Sequence, residues 1–270
     1  MDASILIALA LAAVVGVSLG LLGGGGSILT VPILTYVLGM EPREAIAASL
    51  FIVGATSAVS AITHAKAGRV RWKTGILFGL AGMAGAFGGG LLGGYIPGVV
   101  LMILFAIMMI VTSVAMIRGR KDRGGSAGSA EGSAGGSAER GLPVARILID
   151  GLLVGLATGL VGAGGGFLIV PALNLLGGLP MAIAVGTSLL VITMKSFAGL
   201  GGYLFSVQLN WPIVLAFTGA AVAGSFVGTA LAGRVPERAL RRGFGIFVLA
   251  MGVFVLVQEI PPLIASFGAA

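Results

Sequence analysis

Lys195 lies near the middle of an apolar run from Ala182 to Phe205 and is the one lysine or arginine well inside such a run. At bilayer depth a lysine costs about 2.5 to 3.5 kcal/mol on insertion scales, so it is expected to face an interior cavity and to bind something negative. Thr187, Ser188 and Ser196 share its run, and Ser49, Thr56 and Ser57 cluster on another. Ser188 and Lys195 are seven residues apart, two helical turns, and so share a face. Such hydroxyls can donate to an anion, although in membrane helices they also bond to backbone or to a neighbouring helix.

A second chemical signal comes from two glycine clusters that interrupt apolar elements, Gly23 to Gly26 and Gly162 to Gly166. Glycine runs break a helix and free backbone groups, which membrane depth tolerates only where they are buried in protein or line a cavity. A short helix is expected to resume at about Ser27 and at about Phe167. Its free N–H groups and positive dipole end would then face the break, a geometry suited to an anion. Gly24, Gly25, Gly26 and Ser27 in the first break, with Gly164, Gly165, Gly166 and Phe167 in the second, are therefore candidate substrate contacts. Close helix packing is the competing use of such glycines, and it is the expected one for Gly85 to Gly89 and Gly224 to Gly228.

Other chemistries lack parts. There is no cysteine, a single histidine and no HExxH sequence, so thiol and zinc hydrolase constellations lack parts, and no Ser-His-Asp motif appears around His64. No cofactor or metal site is expected, and the glycine runs do not match the dinucleotide-binding fingerprint. His64, at the basic end of its apolar run, is expected to be solvated at the interface rather than a proton relay. Asp150, inside its run, is the carboxylate expected to serve ion coupling or to pair with Lys195. Glu41, Glu44 and Glu259 lie near segment ends.

The elements that must position these groups are transmembrane helices. Of 270 residues, 57% are hydrophobic and 9% charged, a composition that leaves no surface for water. Runs near the length needed to cross about 30 Å of hydrocarbon recur at Ser4 to Leu22, Ala45 to Ala65, Thr74 to Ile96, Gly98 to Ile117, Val144 to Val161, Ala182 to Phe205, Pro212 to Gly233 and Phe244 to Ile260. Shorter runs, Ile28 to Met40 and Phe167 to Leu179, follow the first and fifth. The N-terminal run lacks a basic leader and has a counterpart later in the chain, so it is expected to be retained rather than cleaved.

That counterpart belongs to an internal repeat. An ungapped shift of 139 residues lays Gly20 to Pro32 over Gly159 to Pro171, and pairs Ser49 with Ser188, Ser57 with Ser196, Trp72 with Trp211 and Pro97 with Pro236. Between the copies, residues 124–141 form a Gly/Ser/Ala tract with the composition of a flexible linker. The expected organisation is a first repeat over 1–123, this linker, and a second repeat over 142–270. Of 16 basic residues, 14 fall in loops 64–73, 118–146 and 234–242, which the positive-inside rule places in the cytoplasm. The charged loop 66–73 aligns with the uncharged 205–212, so equivalent loops should lie on opposite sides of the membrane. The expected fold is thus an all-α polytopic membrane protein of two inverted-topology repeats. Each repeat would hold a Gly-broken helical hairpin and three transmembrane helices, with both termini extracytoplasmic. The formal charge of +7 is used in orientation and implies no nucleic acid.

GAGGGFLIVPAL (Gly162 to Leu173) and AVGTSLLVI (Ala184 to Ile192), with their counterparts GGGGSILTVPIL and AIAASLFIV, resemble the TauE/SafE family of sulfite and organosulfonate exporters, also called the four-toluene-sulfonate uptake permease group. The resemblance covers nearly all the chain apart from the linker, and the first half departs from it with Ala48 where the second has Thr187. It implies a cell-membrane carrier of sulfur-containing anions such as sulfite, thiosulfate or organosulfonates, and not an enzyme. The expected mechanism is secondary transport by alternating access around a midplane anion site. An anion channel, or a carrier of other small organic anions, is the alternative.

Overall fold

The computed structural model describes residues 3–22, 25–118, 144–162, 169, 181–231 and 237–268. The linker and most of the second glycine break lie outside these residues. Helix α1 (Ala3–Leu22) is followed by a 3-10 turn (Gly25–Leu29) that runs directly into the short α2 (Thr30–Tyr36). Then come α3 (Pro42–Lys66), α4 (Trp72–Gly93), α5 (Gly98–Arg118), α6 (Val144–Val161), α7 (Met181–Tyr203), α8 (Trp211–Leu231) and α9 (Glu237–Gly268). The C-terminal helix extends beyond the expected run at both ends.

Local chemistry sets the helix ends. In α3, Pro42 occupies the first turn, where its missing N–H is no loss. Glu44 in the first turn and Lys66 in the last match the signs of the helix dipole. Gly68, at φ +69°, takes the left-handed conformation that stops α3 and turns the chain toward α4.

The helices pack through glycine. On α4, Gly75, Gly79, Gly82, Gly85, Gly89, Gly90 and Gly93 are buried, at three- and four-residue spacing. This smooth face lies between α6 and α7. A Cβ at Gly85 would fall onto the Leu152 carbonyl oxygen, one at Gly89 onto that of Leu156, and one at Gly90 onto that of Gly199. The same contacts recur 139 residues on: Gly224 meets the Ala13 carbonyl and Gly228 that of Val17, so α8 packs on α1 as α4 packs on α6. In return, Gly16 and Gly20 of α1 meet the carbonyls of Ala221 and Ser225, and Gly155 and Gly159 of α6 meet those of Gly82 and Ala86. Helix α1 is thus locked against α8, and α6 against α4. In both pairs the contacts advance together, so the helices run in the same direction.

At the centre α3 crosses α7. Gly54 abuts Ser196, Phe51 meets Phe197 edge-on at 6.2 Å, Leu50 touches Gly199, and His64 touches Gly186. Contacts that climb one helix descend the other, so these two equivalent helices are antiparallel. Helices α5 and α9 pack on each other.

Among the described residues, four helices are long and apolar enough to cross a membrane: Pro42–Lys66, Trp72–Gly93, Ile183–Tyr203 and Trp211–Leu231. Shorter apolar helices accompany them at Leu6–Leu21, Gly98–Val114, Gly151–Val161 and Gly245–Pro261. Large apolar side chains face outward on the bundle, among them Leu6, Ile76, Phe87, Leu152, Phe226 and Phe254. So much exposed apolar surface requires a lipid solvent. The chain is an all-helical polytopic membrane protein.

Candidate functional site

Lys195 sits in α7 about 21 Å from one helix end and about 12 Å from the other, at 1.5 Å per residue. It is 2% exposed. Its Nζ donates to Thr158 Oγ1 of α6 at 2.9 Å, and among the described residues no carboxylate pairs with it. Thr158 in turn donates back into its own helix, to the Val154 and Gly155 carbonyls at 2.7 and 3.2 Å. The lysine stem lies against Gly82 of α4, where the absent side chain leaves room for it. Three helices, α4, α6 and α7, therefore meet at one buried cation.

Around this point the expected hydroxyls divide. Ser49 Oγ donates to the Gly162 carbonyl at 2.5 Å, tying α3 to the first glycine of the second break. Gly162 holds φ +71° with Ile46 pressed against it, a conformation and a space that only glycine fits. Thr56 Oγ1 bonds to the Ile52 carbonyl of its own helix at 2.7 Å, and Ser188 Oγ to that of Val185 at 2.8 Å. Thr187 Oγ1 accepts from the Arg71 backbone N–H at 3.0 Å, which places it against the loop after α3 and away from Lys195. Ser57 and Ser196, 139 residues apart, are both buried with no hydrogen-bond partner among the described residues.

In the first break, Gly25, Gly26 and Ser27 lie on the 3-10 turn, with Ser27 fully buried. Gly24, Gly164, Gly165, Gly166 and Phe167 lie outside the described residues, as does the side chain of Asp150. One expectation is corrected. His64 is not solvated: it is 7% exposed, because α7 approaches at Gly186 and the Arg69 backbone folds over the end of α3, and neither ring nitrogen has a partner among the described residues. Glu259, near the end of the apolar helix Gly245–Pro261, is buried and accepts from Tyr36 Oη at 2.9 Å. Thr158 and the Gly162 carbonyl had no local signal in the sequence, since each matters through a helix distant along the chain.

Residues 8–255 match the family described as Sulfite exporter TauE/SafE. The chain belongs to that family. A probable membrane transporter protein of Xylella fastidiosa is 35% identical over 97% of this chain and 98% of its own length. Similarly named proteins of Methanocaldococcus jannaschii (27% identical, 93% and 97% covered) and Bacillus subtilis (YunE, 26%, 95% and 99%) are more distant. No solved structure matches the chain. The TauE/SafE chain is a membrane transporter, multi-pass and embedded in a lipid bilayer.

Proposed function

We propose that this transporter is a secondary carrier, acting as an exporter, of small sulfur-containing anions such as sulfite, thiosulfate or organosulfonates. The substrate site is where α4, α6 and α7 meet, beside the crossing of α3 and α7, with Lys195 as the anion-binding cation. The observation that carries this reading is the buried Lys195, whose single hydrogen bond among the described residues is to a neutral hydroxyl. An ammonium group donates three hydrogen bonds, and at bilayer depth an unpaired cation is costly unless a ligand completes it. A sulfur oxyanion supplies negative charge, one unit on a sulfonate and up to two on sulfite or thiosulfate, spread over several acceptor atoms. Glycine-lined backbone at the two breaks, of which Gly25, Gly26 and the Ser49-bound Gly162 are described, adds the second part of the site.

Alternating access follows from an inverted repeat, with residues 1–123 and 142–270 as the two copies and 124–141 as linker. Support comes from the antiparallel crossing of the equivalent helices α3 and α7 and from the reciprocal glycine contacts of α1 with α8 and α4 with α6. The register of that crossing brings each helix past its own equivalent near Thr56 and Lys195. In this orientation the basic loops face the cytoplasm of the cell membrane and both termini face outward. The export direction is the one in the family's description.

Counterflow in proteoliposomes tests the reading. Radiolabelled sulfite should enter vesicles loaded with unlabelled sulfite in a saturable way, and Lys195→Met should abolish the exchange. Unitary currents without exchange would make the protein a channel. Exchange undiminished in Lys195→Met would remove the site. Direction is read in cells challenged with sulfite, where expression of an exporter lowers internal sulfite and expression of an uptake permease raises it.

A further inference from the structure

Ser57, Ser60 and His64 stand at positions i, i+3 and i+7 of α3 and so occupy one narrow face of it. All three are more than nine-tenths buried, and among the described residues no polar side-chain atom of theirs has a hydrogen-bond partner, including both ring nitrogens of His64. Ser196 of α7, facing α3 beside Gly54, is fully buried and equally unpartnered among the described residues. Buried polar groups are normally satisfied, and four such side chains in one stretch of a membrane bundle call for a common explanation. They do not bond to one another, so the structure does not use them as helix glue.

The stretch has two distinguishable ends. One is the α3/α7 crossing next to Lys195. The other is His64, in the last turn of α3, directly beneath a loop that carries Arg69 and Arg71 and is flanked by Lys66 and Lys73 on the adjoining helix ends, all four exposed. That loop is held down over His64: the Arg69 N–H donates to the His64 carbonyl at 3.0 Å, and the Arg71 N–H to Thr187 Oγ1 at 3.0 Å. The groups are therefore covered here by a short strap that packs on Gly186 of α7 and, among the described residues, is hydrogen-bonded to that helix by one backbone-to-hydroxyl bond.

We propose that Ser57, Ser60 and His64 of α3, with Ser196 of α7, line the route by which a small oxyanion passes between the basic cytoplasmic mouth and the Lys195 site. The polar atoms lack partners because their partner is the passing anion and its water. Hydroxyls and an imidazole can each donate to oxyanion oxygens, and they carry no fixed charge that would trap the ion along the way. The four basic residues raise the anion concentration at the mouth. This inference rests on the anion-carrier reading above and adds the path and the side from which it opens.

The chain contains no cysteine, so single cysteines report without background. Ser57→Cys, Ser60→Cys, His64→Cys and Ser196→Cys are compared in inside-out vesicles with two controls on other faces of α3: Ile52→Cys, fully buried, and Ile62→Cys, exposed to lipid. The probes are an anionic methanethiosulfonate (the sulfonatoethyl reagent) and a cationic one (the trimethylammonium reagent), each rate normalised to that with a free thiol. The four route positions should react at least tenfold faster than Ile52→Cys and Ile62→Cys, and the anionic reagent should be favoured over the cationic one. Rates at positions 57 and 60 no faster than at 52, or a preference for the cation, would overturn the proposal. Ser57→Cys and Ser60→Cys exchange a single atom and decide the matter even where His64→Cys fails to fold. Sulfite should slow labelling at position 57. An anion-selective route that no sulfur anion protects would leave the route standing and count against the substrate reading, whereas sulfite exchange with unreactive positions 57 and 60 would do the reverse.

Discussion

Thr158→Val and Lys195→Met remove opposite ends of one hydrogen bond, and the anion-site reading requires them to behave differently. Valine matches threonine in shape but cannot accept from Lys195 Nζ, so the buried ammonium loses its one described partner. A hydrogen bond to a charged group contributes about 1.5 to 3 kcal/mol. At about 2 to 4 °C per kcal/mol, the apparent Tm of Thr158→Val should fall by roughly 3 to 12 °C. Methionine in place of Lys195 loses the same bond but also removes the insertion cost of a lysine, about 2.5 to 3.5 kcal/mol. Thr158 keeps its two backbone acceptors, so nothing polar is orphaned. The net for Lys195→Met is therefore near zero to about 2 kcal/mol of added stability. Anion binding should separate the pair in the opposite sense. Sulfite at a hundredfold excess over its Kd stabilises the wild type by about 2.7 kcal/mol. Thr158→Val should show at least that shift, because the hydroxyl that competes for the ammonium is gone, and Lys195→Met should show none. The assay is a thermal-shift titration in detergent with sulfite, thiosulfate, taurine and chloride. A Lys195→Met protein that is destabilised like Thr158→Val and still stabilised by sulfite would refute the reasoning.

Three further outcomes follow from the packing. Ala67 and Ser206 are equivalent under the repeat and both exposed, so cysteine at 67 should be labelled by an impermeant maleimide only in inside-out vesicles and cysteine at 206 only in right-side-out ones; labelling from one side would refute the inversion. Gly85→Leu and Gly224→Leu each drive a side chain into a facing carbonyl, so both should abolish the monodisperse peak in size-exclusion chromatography to a similar degree, while Gly219→Leu, with open space around it, should not. Gly162→Ala forces a side chain into a left-handed conformation, at about 1 to 2 kcal/mol, and against Ile46; it should lower Tm and sulfite exchange together, whereas Ser49→Ala should cost about 1 to 3 kcal/mol through the unpaired Gly162 carbonyl.

The sequence by itself determined the solvent and the elements. Apolar run length decides whether a helix can cross a bilayer, and that information is local, so the helices α3, α4, α7 and α8 lie where hydropathy puts them. Glycine spacing on one helix face is also local, which is why Gly85 to Gly89 and Gly224 to Gly228 were legible as packing surfaces. Lys195 stood out because a charge in an apolar run is conspicuous without knowledge of its neighbours.

What only the tertiary structure decided is who faces whom. No local pattern says that Gly85 meets the Leu152 carbonyl, that Thr158 receives Lys195, or that Ser49 reaches the second break. Thr187 and Ser188 are adjacent in sequence and alike in type, yet one accepts from the loop after α3 and the other donates to its own helix, because adjacent helical residues point about 100° apart. His64 reads as interfacial from its position at a basic helix end, and is buried because α7 and the Arg69 backbone close over it. Hydropathy measures a residue's own preference for water. Burial and hydrogen-bond partners depend on helices far apart in the chain, and that geometry exists only once the helices have crossed.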